Sequence, residues 1–282
     1  MAITIVSDST TEISQEEAKQ LGIEIVPLRS IFGEEVYLDG IDMSPEEFYQ
    51  KLEEAEELPT TSQPTPHDFE QVFCRELEAG NQIIVITIAE NLSGTLQSAS
   101  IAREKVGDGD IHIIDSESAT LALRLLVDRA LELRDSGVPA AEIAQTLEAE
   151  KKSIRLFAAI DTLEYLQKGG RLSKTSALAG TLLKVKPLIS LQEGKIEVVS
   201  KCRGMQKAYE ELFILAEEAG GIDLDKPFAI GYTGNRERLI QFEQVCDQHS
   251  NGHTPHISSI GSVIGTHAGP GAVAMAFFSK GE

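Results

Sequence analysis

Ser93-Gly94-Thr95 stands where a β-branched run, residues 82–88, gives way to a helix, and Thr61-Ser62 stands between prolines in Pro59-Thr60-Thr61-Ser62-Gln63-Pro64. A hydroxyl at the start of a helix lies beside backbone N–H groups that have no intrahelical partner and beside the positive end of the helix dipole. Such a corner receives a carboxylate or a phosphate. The plainer reading of Ser93 is a helix cap, because Ser is a favoured N-cap residue. A third stretch, residues 261–271, sets Gly261, Gly265, Gly269, Pro270 and Gly271 around one histidine, His267. Glycine permits φ > 0 and close backbone approach. The stretch therefore reads either as a ligand-facing loop or as a buried connection whose histidine is merely hydrogen-bonded. In a doubly wound sheet, loops that follow strands converge at the carboxyl edge, where ligands bind. Two hydroxyl corners and His267 together favour an anion pocket over three coincidental caps.

Several chemistries lack their signatures. There is no Walker lysine motif and no Gly-x-Gly-x-x-Gly after the first strand, so nucleotide binding has little support. Ser93 is not in a Gly-x-Ser-x-Gly elbow, and no Asp–His pair that would activate it is evident. The histidines are dispersed, and His249, His253 and His256 read as a polar surface loop rather than a metal site. A net charge of −20 argues against nucleic acid and against an anionic membrane surface as partner. Cys74, Cys202 and Cys246 form no CxxC pair, which suits a reducing cytoplasm. The N-terminus has no signal-peptide pattern, and no apolar run reaches the ~18 residues of a membrane helix. Lys168-Gly169-Gly170-Arg171 is a basic, backbone-exposed turn, either a helix C-cap or a second contact to an anion, and Arg203 admits the same two readings. The residues taken alone describe a cytoplasmic binder of a small acidic molecule.

The elements that must position these residues alternate. Strands are expected at residues 3–6, 23–28, 82–88 and 111–114, and helices at 15–21, 45–58, 66–77, 95–106, 119–134 and 140–152. That βα order predicts an α/β lobe, residues 1–153, built on a doubly wound parallel sheet. Residues 154–282 hold strands at 156–160, 187–191, 195–200, 228–232, 256–260 and 272–278, with helices at 173–184, 205–219 and 236–249. Gln192-Glu193-Gly194 joins two of those strands as a hairpin, which makes the second lobe α+β with a mixed sheet.

The chain resembles the DegV family over its whole length. The resemblance rests on Ser7-Asp8-Ser9-Thr10, Asp39-Gly40, Thr61-Ser62-Gln63-Pro64, Ser93-Gly94-Thr95, Lys168-Gly169-Gly170-Arg171, the run from Gly180 to Pro187, and Gly265-Thr266-His267, in that order and spacing. It implies two α/β lobes with a long-chain fatty acid in an apolar tunnel between them. The carboxylate would rest on the Thr61 and Ser93 hydroxyls, beside backbone N–H groups near Ser62, Gly94 and Thr95, with His267 close by. The family's members are bacterial and serve as the fatty-acid-binding subunit of a fatty acid kinase. The resemblance thus implies a lipid-metabolism subunit without catalytic residues, cofactor or metal, whose kinase partner makes the acyl phosphate. Arg171 and Arg203 become candidates for partner docking. Two rivals stand beside it: an acyl hydrolase using Ser93 and His267, and a lipid carrier or regulator with no kinase partner.

Overall fold

The computed structural model describes residues 2–172, 185–250 and 252–281. Ile3–Asp8 (β1) is β-branched and buried on both faces, as a central parallel strand must be. Gln15–Leu21 (α1) starts at Ser14, whose hydroxyl accepts from the Glu17 N–H, and stops at Gly22 in the left-handed region. It returns the chain to Ile23–Val26 (β2), parallel to β1. The strand expected to run to residue 28 stops at Val26, and the Leu28 N–H instead donates to Ser9 Oγ.

Arg29–Phe32 (β3) and Glu35–Leu38 (β4) follow as an antiparallel pair. Pro45–Glu54 (α2) carries a capping box between Ser44 and Glu47, and it ends before the expected residue 58 because Ala55 is extended. Thr60–Ser62 (β5) then adds to β3, with Thr61 opposite Ser30 and Ser62 opposite Arg29. The sequence suggested a loop here; the hydroxyls instead sit on a strand of a small three-stranded sheet, β4-β3-β5. A three-residue strand bounded by prolines has too little length to show a period-2 pattern, and only its partner β3 defines it.

Pro66–Glu78 (α3) opens with a second capping box, Thr65 with Asp68, and Pro66 in its first turn. Gln82–Thr87 (β6), Thr95–Val106 (α4) and Ile111–Asp115 (β7) complete a four-stranded, all-parallel sheet of order β2-β1-β6-β7. Thr120–Asp135 (α5) and Ala140–Glu150 (α6) follow.

Ile154–Ala159 (β8) enters a second sheet, which also takes Val185–Gln192 (β9) and Lys195–Arg203 (β10). Between β8 and β9 lies the short helix Glu164–Lys168 (α7). The helix expected over 173–184 lies outside the described residues. β9 and β10 form the expected hairpin, turned by Glu193 and Gly194 with φ of 50° and 70°, the signature of a type I′ turn. Met205–Glu218 (α8), Phe228–Tyr232 (β11), Glu237–His249 (α9) and His256–Ser259 (β12) continue the chain. Ser262–Ala268 (α10) and Val273–Phe278 (β13) end it. The sheet order is β10-β9-β8-β13-β11-β12, antiparallel except for β11 with β12. The glycine-rich stretch read as a loop is thus largely helix: α10 carries His267 in its last turn.

α5 is the element both sheets share. It packs on β1 and β6 of the first sheet and on β8, β11 and β13 of the second. Thr120 through Val127 are all buried, Arg124 among them, and a helix apolar all round is an interior helix. One apolar cluster consequently runs through both sheets, from Ile5 and Ile84 by way of Leu125 and Leu126 to Leu156 and Phe278. Arg124 is tolerated there because its guanidinium meets Asp128 and Glu17.

Candidate binding cavity

Between the two sheets lies a cavity of about 980 Å³, its open mouth included. Its walls are aliphatic: Leu156, Ala158 and Ile160 from β8 and just beyond it, Ile189 and Leu191 from β9, and Ala274 from β13. These positions face inward because strand side chains alternate, and the opposite face of β8 and β9 packs on α8.

The polar groups are tied together by contacts. Thr61 Oγ1, on β5, lies 3.0 Å from His267 Nε2 at the end of α10. The other imidazole nitrogen, Nδ1, is buried with no partner among the described residues. Nδ1 faces Gly169, where any Cβ would collide with it and would lie 3.0 Å from the Tyr165 carbonyl oxygen. The absence of a side chain at position 169 is what lets the imidazole come this close. Two residues on, Arg171 donates from Nε to the Leu92 carbonyl (3.2 Å) and from Nη1 to the Gly169 carbonyl (2.6 Å), which brings the guanidinium beside Ser93. Burial, helped by the Arg171 charge, pushes the His267 imidazole down to about 4, so it is neutral at neutral pH.

Ser93 does not cap α4. The N-cap is Gly94, with no side-chain cap, and Ser93 Oγ instead lies 2.8 Å from Thr95 Oγ1. The first amides of α4 are thus left for another acceptor. Ser93 and His267 do not touch through their polar atoms: one is bonded to Thr95 and the other to Thr61. No serine–histidine pair of the hydrolase kind exists among the described residues, nor does a group of three or more His, Cys, Asp or Glu able to hold a metal.

Of the residues singled out in the sequence, Thr61, Ser62, Ser93, Arg171 and His267 all line this one cavity. Gly94 and Thr95 stand behind Ser93 without lining it; Thr95 is fully buried. Arg203 lies elsewhere, exposed at the end of β10 opposite Val185. Sequence reasoning passed over Gln63, Thr120, Tyr232 and Thr233, which also line the cavity. Tyr232-Thr233 closes β11, and a hydroxyl pair at a strand's carboxyl end was the signal to be read there. Thr120 had none, since it looks like the first residue of any helix.

No helix among the described residues is long and apolar enough to cross a membrane. The family model described as an uncharacterised DegV family protein matches residues 2–280. A DegV domain-containing protein of Deinococcus radiodurans is 34% identical over 280 residues, 98% of each chain. Among solved structures, a fatty-acid-binding DegV family protein from Thermus thermophilus superposes with a TM-score of 0.89 at 31% identity, covering 99% of this chain and 100% of that one. A stearic-acid-binding protein from Eubacterium ventriosum gives 0.88 at 29% identity, covering 98% of both chains. The two-sheet architecture expected from the sequence is the fold these proteins share.

Proposed function

The chain belongs to the DegV family, and we propose on that footing that it binds one long-chain fatty acid in the inter-sheet cavity, between an N-terminal lobe of residues 1–153 and a C-terminal lobe of residues 154–282. The observation that carries this reading is the chemistry of the wall. In a chain with 45 Asp and Glu, none of the described residues lining the cavity is acidic, and Arg171 is the one charged side chain among them. An apolar chamber with clustered donors and no carboxylate of its own suits a ligand with a long hydrocarbon tail and an anionic head.

The head group rests on the Thr61 and Ser93 hydroxyls and on amides near Ser62, Gly94 and Thr95, with the Arg171 charge close by. His267 orients Thr61. In the tautomer protonated at Nε2, the imidazole donates to Thr61 Oγ1, and the threonine O–H is free to donate to the carboxylate. A buried carboxylate needs several donors, because an unpaired charge in an apolar site is very costly. Each buried CH₂ contributes about 0.8 kcal/mol, so the tail supplies most of the affinity and the head sets the orientation.

The chain acts as a substrate-presenting subunit. A separate kinase brings the nucleotide; a carboxylate oxygen of the bound acid attacks the γ-phosphorus of ATP, and ADP leaves, giving an acyl phosphate. Arg171 and the exposed Arg203 are the candidate contacts to that kinase.

The test is mass spectrometry of the purified protein, native and then after denaturation and solvent extraction. A fatty acid at one per chain, released only on denaturation, is the expected result. A ligand-free protein that also fails to take up added stearate overturns the reading. Hydrolysis of an acyl ester, abolished by Ser93→Ala, would put the hydrolase in its place.

A further inference from the structure

Two acids from the N-terminal half meet the start of α10. The Gly261 N–H donates to Glu12 Oε2 at 2.7 Å, and the Ser262 N–H and Oγ donate to Asp39 Oδ1 at 3.0 and 2.7 Å. α10 has no side-chain cap of its own. Its N-terminal amides are satisfied instead by residues more than 200 positions away in sequence. A Cβ on Gly261 would lie 3.1 Å from Glu12 Oε2 and 3.2 Å from Asp39 Oδ1, so a methyl there would press on both carboxylates. Glu12 also holds the opposite wall: its Oε1 accepts from Thr120 Oγ1 at 3.0 Å, at the start of α5 and on the cavity lining. Both residues adopt positive φ, 61° at Glu12 and 47° at Thr120. For a β-branched residue such as threonine that is a genuine outlier, and outliers of this kind persist where surrounding contacts over-determine them.

We propose that Glu12 and Asp39 are positioning residues for the head-group site: they clamp the first turn of α10 against α5 and the β3–β5 sheet and so fix the place of His267 over Thr61. The inference rests on the fatty-acid reading of the cavity. α10 is 7 residues long, about 10 Å, a short rigid lever with the clamp at one end and the imidazole at the other. Its flank packs on β3, β5, α2 and α7, and the clamp adds hydrogen bonds to the amides at its N-terminal end. Ser262 Oγ lies within 3.2 Å of Ser30 Oγ, opposite Thr61 in the small sheet, which ties the clamp to the strand that carries the other half of the head-group pair.

The test uses Gly261→Ala, Glu12→Ala and Asp39→Ala, with Glu12→Gln and Asp39→Asn as conservative partners that keep an acceptor oxygen. Each is made alone and on a His267→Ala background, and each is titrated with stearate and with octadecanol, which has the tail without the anionic head. The alanine variants are expected to lose about tenfold in stearate affinity and little in octadecanol affinity, the loss vanishing on the His267→Ala background. The Gln and Asn variants are expected to restore most of it. Equal losses for acid and alcohol, or a loss that adds to that of His267→Ala, overturn the proposal in favour of a merely structural role. Should an acid-to-alanine variant not fold, Gly261→Ala, which displaces both carboxylates without removing them, tests the same clamp on its own. If His267→Ala alone weakens stearate binding and every clamp variant binds like the parent, only the positioning proposal fails. If the parent does not bind stearate, the fatty-acid reading fails and takes the proposal with it.

Discussion

Thr61 and Ser93 bear the clearest residue-level expectations. Thr61→Val keeps the shape and removes the hydroxyl that His267 addresses, and Ser93→Ala removes the one that meets Thr95. Each should weaken fatty acid binding by about 1–3 kcal/mol, the cost of removing a donor to a buried charge, with the circular dichroism spectrum that of the parent. Displacement of a fluorescent fatty acid measures it. His267 gives a pH expectation. Its folded value of about 4 lies below its ordinary 6.5, so the unfolded chain binds the extra proton across that window. Stability then rises with pH between about 4 and 6.5 and is lost as pH falls through it, by at most about 3 kcal/mol. Asp8 has the opposite sign. Burial raises it from 3.8 to about 6, so the folded state holds the proton, and its contribution falls as pH rises through that range. His267→Asn should therefore lose less stability than the parent on acidification from pH ~7 to ~4.5, as thermal melts at the two pH values will show.

At the scale of elements, the site is held by close approach of backbone. Gly169 lies against His267 because it lacks a side chain, and α7 and α10 pack through that contact. Gly169→Ala should push the imidazole off Thr61 and reduce stearate affinity to the level of His267→Ala, while circular dichroism stays that of the parent. α5 is the other such element. Leu126 is fully buried in the cluster that joins both sheets, and Leu126→Ala should cost about 2–5 kcal/mol in denaturant melts. A loss under about 1 kcal/mol would mean that α5 does not couple the sheets.

The whole molecule should behave as one cooperative unit, because the apolar cluster passes from the first sheet through α5 into the second without a break. Calorimetry is expected to give a single transition with equal calorimetric and van't Hoff enthalpies; two separated transitions would show independently folding lobes. A bound long-chain acid raises the midpoint of that transition by mass action. Across a series of saturated acids, affinity should climb by about 0.8 kcal/mol per CH₂ and level off once the cavity is filled.

The sequence by itself determined the strands of the two sheets, the hairpin at Glu193-Gly194, the starts of α2 at Pro45 and of α3 at Pro66, and the membership of the DegV family. All of these rest on local signals, namely β-branched runs, Ser or Thr before Pro, and ordered short motifs. It also pointed to Thr61, Ser93 and His267 as one expected anion pocket, with Arg171 as a candidate second contact. Only the tertiary structure decided the aliphatic wall of the cavity they line, that Ser93 turns to Thr95 rather than capping α4, and that Arg203 stands apart. It alone decided that Thr61 sits on a strand and His267 on a helix. β5 exists because β3 pairs with it, and the first amides of α10 are capped by Glu12 and Asp39 from another part of the chain. Local propensity reports what a segment prefers in isolation, whereas the strand pairing of residue 30 with 61 and the hydrogen bonds between residues 12 and 261, and 39 and 262, form only once the chain has folded.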